Sequence, residues 1–141
     1  MSFDFSKLSD PRYFAENRLP AHSDHRFYRD ETELARGISS FERTLDGVWQ
    51  FAYARNIDAI PQDFTAADYD CHDWETIHVP AHIQMEGHGV PHYTNTTYPW
   101  DGHESIAPGE IPRRENPVGC YVRYFAVPEG WDNVFISFAG V

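Results

Sequence analysis

Cysteine is nearly absent, and the two that occur, Cys71 and Cys120, sit in no CxxC spacing. Two thiols cannot build the disulfide framework of a small secreted domain, so a reducing cytoplasm is the expected home. Basic residues are scarce as well: 11 Lys and Arg stand against 22 Asp and Glu, a formal charge of -11. A surface of that sign repels phosphate backbones and anionic headgroups, which argues against nucleic-acid and membrane partners. No apolar run approaches the roughly 18 residues that a membrane helix needs. The opening MSFDFSKLSD lacks the basic and apolar blocks of a secretion signal. Without such a signal, the glycosylation sequon at Asn95-Thr96-Thr97 reads as a chance match.

What is present is enough to fold. Hydrophobic residues make up 41% and aromatic ones 16% of 141 residues, too apolar for a disordered acidic tail and long enough for one domain. Residues 1–40 are polar and broken by Pro11 and Pro20, and they predict a mostly irregular N-terminal arm. One short helix is expected there, capped by Asp30 with Glu33 in the capping-box position and closed by Gly37. From residue 41 the period becomes two. Trp49-Gln50-Phe51-Ala52-Tyr53 and Trp74-Glu75-Thr76-Ile77-His78-Val79 alternate as strands with two unlike faces.

Between Pro80 and Pro117 the density of Pro and Gly excludes regular structure. Long loops inside compact domains are usually functional, and this one carries His88, His92, Tyr93, Tyr98 and Trp100. It predicts an ordered loop that presents something. Strand pattern returns over residues 118–127 and again at Val134-Phe135-Ile136-Ser137-Phe138. The chain ends close behind that apolar strand, which reads as a domain cut short of its next strand. No internal repeat or low-complexity tract occurs.

Chemistry-bearing patterns are thin. His78 and His82 are four apart, as are His88 and His92, but Pro80 breaks the first pair and Gly89 and Pro91 the second. Neither pair can share a helix face, so no metal site is expected from this chain. There is no GxSxG elbow, Gly87-His88-Gly89 is no phosphate loop, and no two carboxylates stand out as acid and base. No catalytic residue is expected here. The loop Tyr93-Thr94-Asn95-Thr96-Thr97-Tyr98-Pro99-Trp100 offers aromatic faces and an amide, groups suited to sugar C–H surfaces and paired hydroxyls. The same residues also fit a plainer role, with Tyr98 and Trp100 packing the loop onto the sheet and Asn95 holding a turn.

Five motifs in order carry a resemblance. They are Glu16-Asn17-Arg18-Leu19-Pro20-Ala21-His22, Leu45-Asp46-Gly47-Val48-Trp49-Gln50-Phe51, Val79-Pro80-Ala81-His82-Ile83-Gln84-Met85 running on to Tyr98-Pro99, Asn116-Pro117-Val118-Gly119-Cys120-Tyr121, and Phe138-Ala139-Gly140-Val141. Together they resemble the N-terminal part of bacterial β-galactosidases of glycoside hydrolase family 2. His82-Ile83 replaces the Asn-Trp found in many members. The resemblance implies an all-β fold, an incomplete jelly-roll β-sandwich over residues 41–141. It implies substrate-binding roles for Asn95, reaching hydroxyls of a galactosyl unit, and for Thr96 beside it. It also implies a retaining hydrolase whose catalytic glutamates, Mg²⁺ ligands and Na⁺-binding aspartate lie outside these residues. The expected reading is an N-terminal fragment of such an enzyme, inactive alone, partnered by the enzyme's remainder and by a galactoside, and able to form homo-oligomers. The alternative is a free-standing carbohydrate-binding or interaction module on a jelly-roll scaffold.

Overall fold

A computed structural model of the chain describes residues 4–93 and 95–139. Thr94, Gly140 and Val141, each part of a motif above, lie outside the described residues. The arm opens with a 3₁₀ turn at Phe5–Ser9, capped by the Asp4 carboxylate, which accepts from the Ser6 N–H at 3.0 Å. Lys7 ties this turn forward to Glu16 at 2.8 Å and to the Tyr13 hydroxyl at 3.1 Å. Those contacts, Glu16 first, push the Lys7 ammonium up to about 12.

Helix α1 spans Glu31–Arg36 and begins and ends where its caps demand. The Glu33 N–H donates to Asp30 Oδ1 at 2.9 Å, and the Glu33 carboxylate accepts from the Arg29 N–H at 2.9 Å. The first bond satisfies an orphaned N–H of the helix end, and the second ties the residue before the cap to the same turn. Gly37 ends the helix at φ 65°, a left-handed conformation open to glycine at little cost.

The scaffold is a three-stranded antiparallel sheet in the order β2-β1-β3, with β1 Gly47–Ala54, β2 Glu75–Val79 and β3 Val118–Val122. Register places Trp49 opposite Ile77 and Phe51 opposite both Glu75 and Tyr121. Trp49, Phe51 and Tyr53 therefore share one face, as their period of two requires. Phe51 is 1% exposed, with its ring 4.8 Å from Tyr121 and 4.6 Å from His88. Ile77 is buried on the same face, whereas Ala54 and Cys120 are buried on the other. The free cysteines Cys71 and Cys120 are both buried, and burial raises the Cys120 thiol pKa.

Two expectations need correction. The strand read over 118–127 stops at Val122. Beyond it the Arg123 guanidinium donates to the carbonyls of Asp46 at 3.1 Å and Val48 at 3.3 Å, so a side chain stands where ladder bonds would continue. Residues 134–138 form no strand. Alternating apolar side chains supply only half of a strand, and no described segment pairs with this one. Its side chains stay exposed, Phe135 at 70% and Phe138 at 66%. Small helical turns account for the remaining regular structure, so the described fold is all-β with a small sheet and little helix. Among the described residues no helix is long and apolar enough to cross a membrane.

Phe51→Ala should cost about 3–5 kcal/mol, because it empties the centre of the sheet face without a neighbour able to fill it. Val48, on the same strand but 55% exposed, should tolerate Ala within about 0.5 kcal/mol. Urea denaturation of both variants checks the pair, and equal losses would mean that Phe51 is not the packing centre.

Candidate functional site

The loop from Pro80 to Pro117 crosses between the two edge strands and is built from local turns. The first follows β2: the Met85 N–H donates to His82 O at 2.9 Å and the His88 N–H to Ile83 O at 3.1 Å. Glu86 reaches back to β2, its Oε2 lying 3.5 Å from His78 Nδ1. His88 then enters the sheet face, its side chain 14% exposed and its Nε2 3.6 Å from Glu75 Oε2. The four-apart histidines are thus dispersed: His78 sits on β2, His82 opens a turn, His88 packs inward and His92 is exposed. Among the described residues no three His, Cys, Asp or Glu side chains converge as metal ligands.

Asn95 and Thr96 lie in a bend at 95–97 and are exposed, next to Tyr93, which is also exposed. The rings of Tyr98 and Trp100 stack on each other, centroids 4.8 Å apart and planes 2° from parallel. This pairing differs from packing against the sheet: the two aromatics rigidify the loop itself. A compact turn continues behind them. The Tyr98 N–H donates to Asp101 Oδ2 at 2.9 Å, and the Glu104 N–H to Trp100 O at 3.0 Å.

Glu104 closes the far side of the loop. Its carboxylate accepts the N–H groups of Arg113 at 3.0 Å and Arg114 at 2.8 Å. Those bonds, with Arg114 contributing most, hold its pKa below the usual glutamate value. Nearby, Arg55 at the end of β1 pairs with Glu115 just before β3. Arg55, Asn56, His103, Arg114 and Glu115 line an open cleft of about 430 Å³. A second cleft of about 400 Å³ lies against Phe51, Ala52, Tyr53, Trp74, Glu75 and His88. No sequence pattern joins Arg55 to Glu115, because only the pairing of β1 with β3 brings them together. The inward turn of His88 did leave a trace, the glycine on either side of it.

This arrangement can offer a sugar an exposed amide, hydroxyls and a stiffened aromatic pair. Residues 42–141 match the family described as glycosyl hydrolases family 2, sugar binding domain. The chain belongs to that family. It is 48% identical over 139 residues to a β-galactosidase of Halalkalibacterium halodurans, covering 96% of this chain and 14% of the relative. It is 38% identical to a β-galactosidase of Streptococcus thermophilus, over 95% of this chain and 13% of that protein. A β-galactosidase large subunit from Latilactobacillus sakei is 40% identical, over 95% of this chain and 24% of its own length. This glycosyl hydrolase family 2 chain therefore spans between about an eighth and a quarter of these relatives' length.

The Glu104 bonds predict a pH response. A depressed carboxylate contributes stability that is present above its unfolded pKa and lost as pH falls through the lower folded value. The loop around 98–114 should therefore loosen only at pH below the reference 4.5 of Glu104. Protection factors at Arg113 and Arg114, exchange rates taken relative to the intrinsic rate at each pH, should fall there in the parent and should show no such pH-linked fall in Glu104→Gln. Unchanged protection in that variant would show that other contacts hold the loop.

Proposed function

We propose that this chain is the N-terminal sugar-binding segment of a β-galactosidase, supplying contacts to a galactosyl unit while the rest of the enzyme supplies the chemistry. The observation that carries this reading is similarity along nearly the whole chain to proteins named β-galactosidase, 96% of it in the Halalkalibacterium halodurans case. The exposed bend at 95–97 is compatible with it, since Asn95 can extend an amide donor and acceptor away from the sheet. Thr96 adds a hydroxyl at the same edge. On this reading residues 1–40 are an arm and residues 41–141 part of a jelly-roll sandwich.

Surface area supports a life against a larger body. The chain exposes 12154 Å² at 16.3 kDa. A compact monomer of that mass exposes about 7,500 Å² by the usual scaling. The excess includes Tyr124, Phe125, Val127, Phe135 and Phe138, all exposed apolar groups fit to be covered by more of the enzyme. The full enzyme would hydrolyse terminal β-D-galactosides such as lactose with retention, in the cytoplasm and with the capacity to assemble as an oligomer. One carboxyl group protonates the leaving oxygen and a second attacks the anomeric carbon. Both belong to the remainder of the enzyme, as do the ligands of Mg²⁺ and Na⁺. Nucleic acid and membrane are not partners on this reading.

Two outcomes test it. The chain alone should release nothing from a chromogenic galactoside over a day, and turnover that survives repurification would overturn the division of labour. In the longer enzyme, Asn95→Ala should lower kcat/KM by about 0.5–1.5 kcal/mol, or up to roughly 3 if a buried partner is stranded. Gln62→Ala, outside the 80–117 loop, should leave it unchanged. Wild-type kcat/KM in Asn95→Ala, or a loss that only follows the fraction of folded protein, would remove the binding role.

A further inference from the structure

The span that carries Asn95 is held to the sheet where His88 and Gly89 touch it. The His88 ring lies 4.6 Å from the Phe51 ring and 6.0 Å from that of Tyr53, the latter nearly parallel at 24°. Aromatic contacts at such distances are favourable in both geometries. Its backbone N–H closes the preceding turn on Ile83 O at 3.1 Å. The next residue reinforces the contact. Gly89 has φ +66°, and a Cβ there would fall 2.8 Å from the Tyr53 hydroxyl. A side chain there would have to displace the Tyr53 hydroxyl and would strain a left-handed φ that glycine adopts freely. From Val90 to Tyr93, and again from Asn95 to Pro99, the chain is exposed.

A ring held between two others is a firmer tether than the nearby carboxylate contact. Glu75 is 75% exposed, and its oxygen is 3.6 Å from His88 Nε2. Exposed pairs of this kind contribute little. The packing of the ring is what fixes the exit point. We infer that His88 is a positioning residue: its ring, seated between Phe51 and Tyr53, sets where the loop leaves the sheet and hence where the Asn95 amide is presented. The inference rests on the proposed sugar contact of Asn95. A displacement of about 1 Å in a group that orients substrate can cost about 100-fold in rate, so an anchor several residues away can matter.

The loop's position can be read without any sugar. Nitroxides on Thr76→Cys, on β2, and Thr97→Cys, just past Asn95, report the distance from sheet to loop. The native Cys71 and Cys120 are 3% and 1% exposed and should not take label. His88→Phe keeps a flat ring in the seat and should keep the parent's narrow distance distribution, whereas His88→Ala should broaden it at least twofold. A His88→Ala distribution no broader than the parent's overturns the inference, and so does a His88→Phe distribution as broad as that of His88→Ala. His88→Gln removes the ring but keeps much of the side-chain volume, and it should broaden the distribution as His88→Ala does. If His88→Ala fails to fold, a His88→Gln distribution no broader than the parent's overturns the inference.

Kinetics of the longer enzyme then test the route through Asn95. His88→Ala should lower kcat/KM about tenfold, comparable to Asn95→Ala, with His88→Phe restoring it. On an Asn95→Ala background His88→Ala should cause no further loss, and additive losses overturn the route. Silence of Asn95→Ala alone would remove the sugar role, while the label distances still decide whether His88 anchors the loop.

Discussion

Phe51 is the residue on which the described structure depends. It sits in the middle strand, faces Glu75 on one side and Tyr121 on the other, and takes the His88 ring above it. Burying a phenylalanine fully is worth about 1.5–3 kcal/mol, and few other residues here are buried at all. Gly119 belongs to the same packing problem. A Cβ on it would meet the Phe51 and Tyr121 rings at 3.0 Å each, so the partner strand gives up a side chain to admit two rings. Sheet pairing, aromatic packing and the loop's point of attachment thus converge on one side chain.

Much of this was legible in the sequence, for physical reasons that differ by element. Helix α1 was legible because capping is local: Asp30, Glu33 and Gly37 carry their signals within one turn of the helix ends. The strands at Glu75–Val79 and around Phe51 were legible because alternation against a buried face leaves a period of two. Residues 134–138 show the limit of that logic. Their pattern is strand-like, yet a strand also needs a partner, and sequence periodicity does not reveal whether one is at hand. The 3₁₀ turn at Phe5–Ser9 left only the weak signal of Asp4 two residues before Ser6.

The candidate site was legible in part, and by resemblance more than by chemistry. The motif residues singled out Asn95 and Thr96, and the structure places both in an exposed bend. Composition suggested that Tyr98 and Trp100 would serve either sugar or sheet. Instead they face each other at 2° from parallel, a relation that two aromatics spaced two residues apart in a loop do not announce. The Arg55–Glu115 pair was invisible, since it depends on β3 returning beside β1 after a long excursion.

On the reading proposed above, a loop that presents a sugar-binding amide faces opposed demands. It must leave the sheet to reach a ligand, yet every residue it frees from the sheet adds conformational entropy that binding must later remove. The geometry answers this with constraints placed on both sides of Asn95. On one side the His88 ring and the glycine behind it fix the departure point against Phe51 and Tyr53. On the other, the Tyr98–Trp100 stack and the Asp101 carboxylate lock a turn, and Glu104 binds that turn to the N–H groups leading into β3. The exposed residues between them, 90–93 and 95–97, are few, so the ends of the span are ordered before any ligand arrives. Preorganisation at the ends, with polar groups left open in the middle, fits that proposed role.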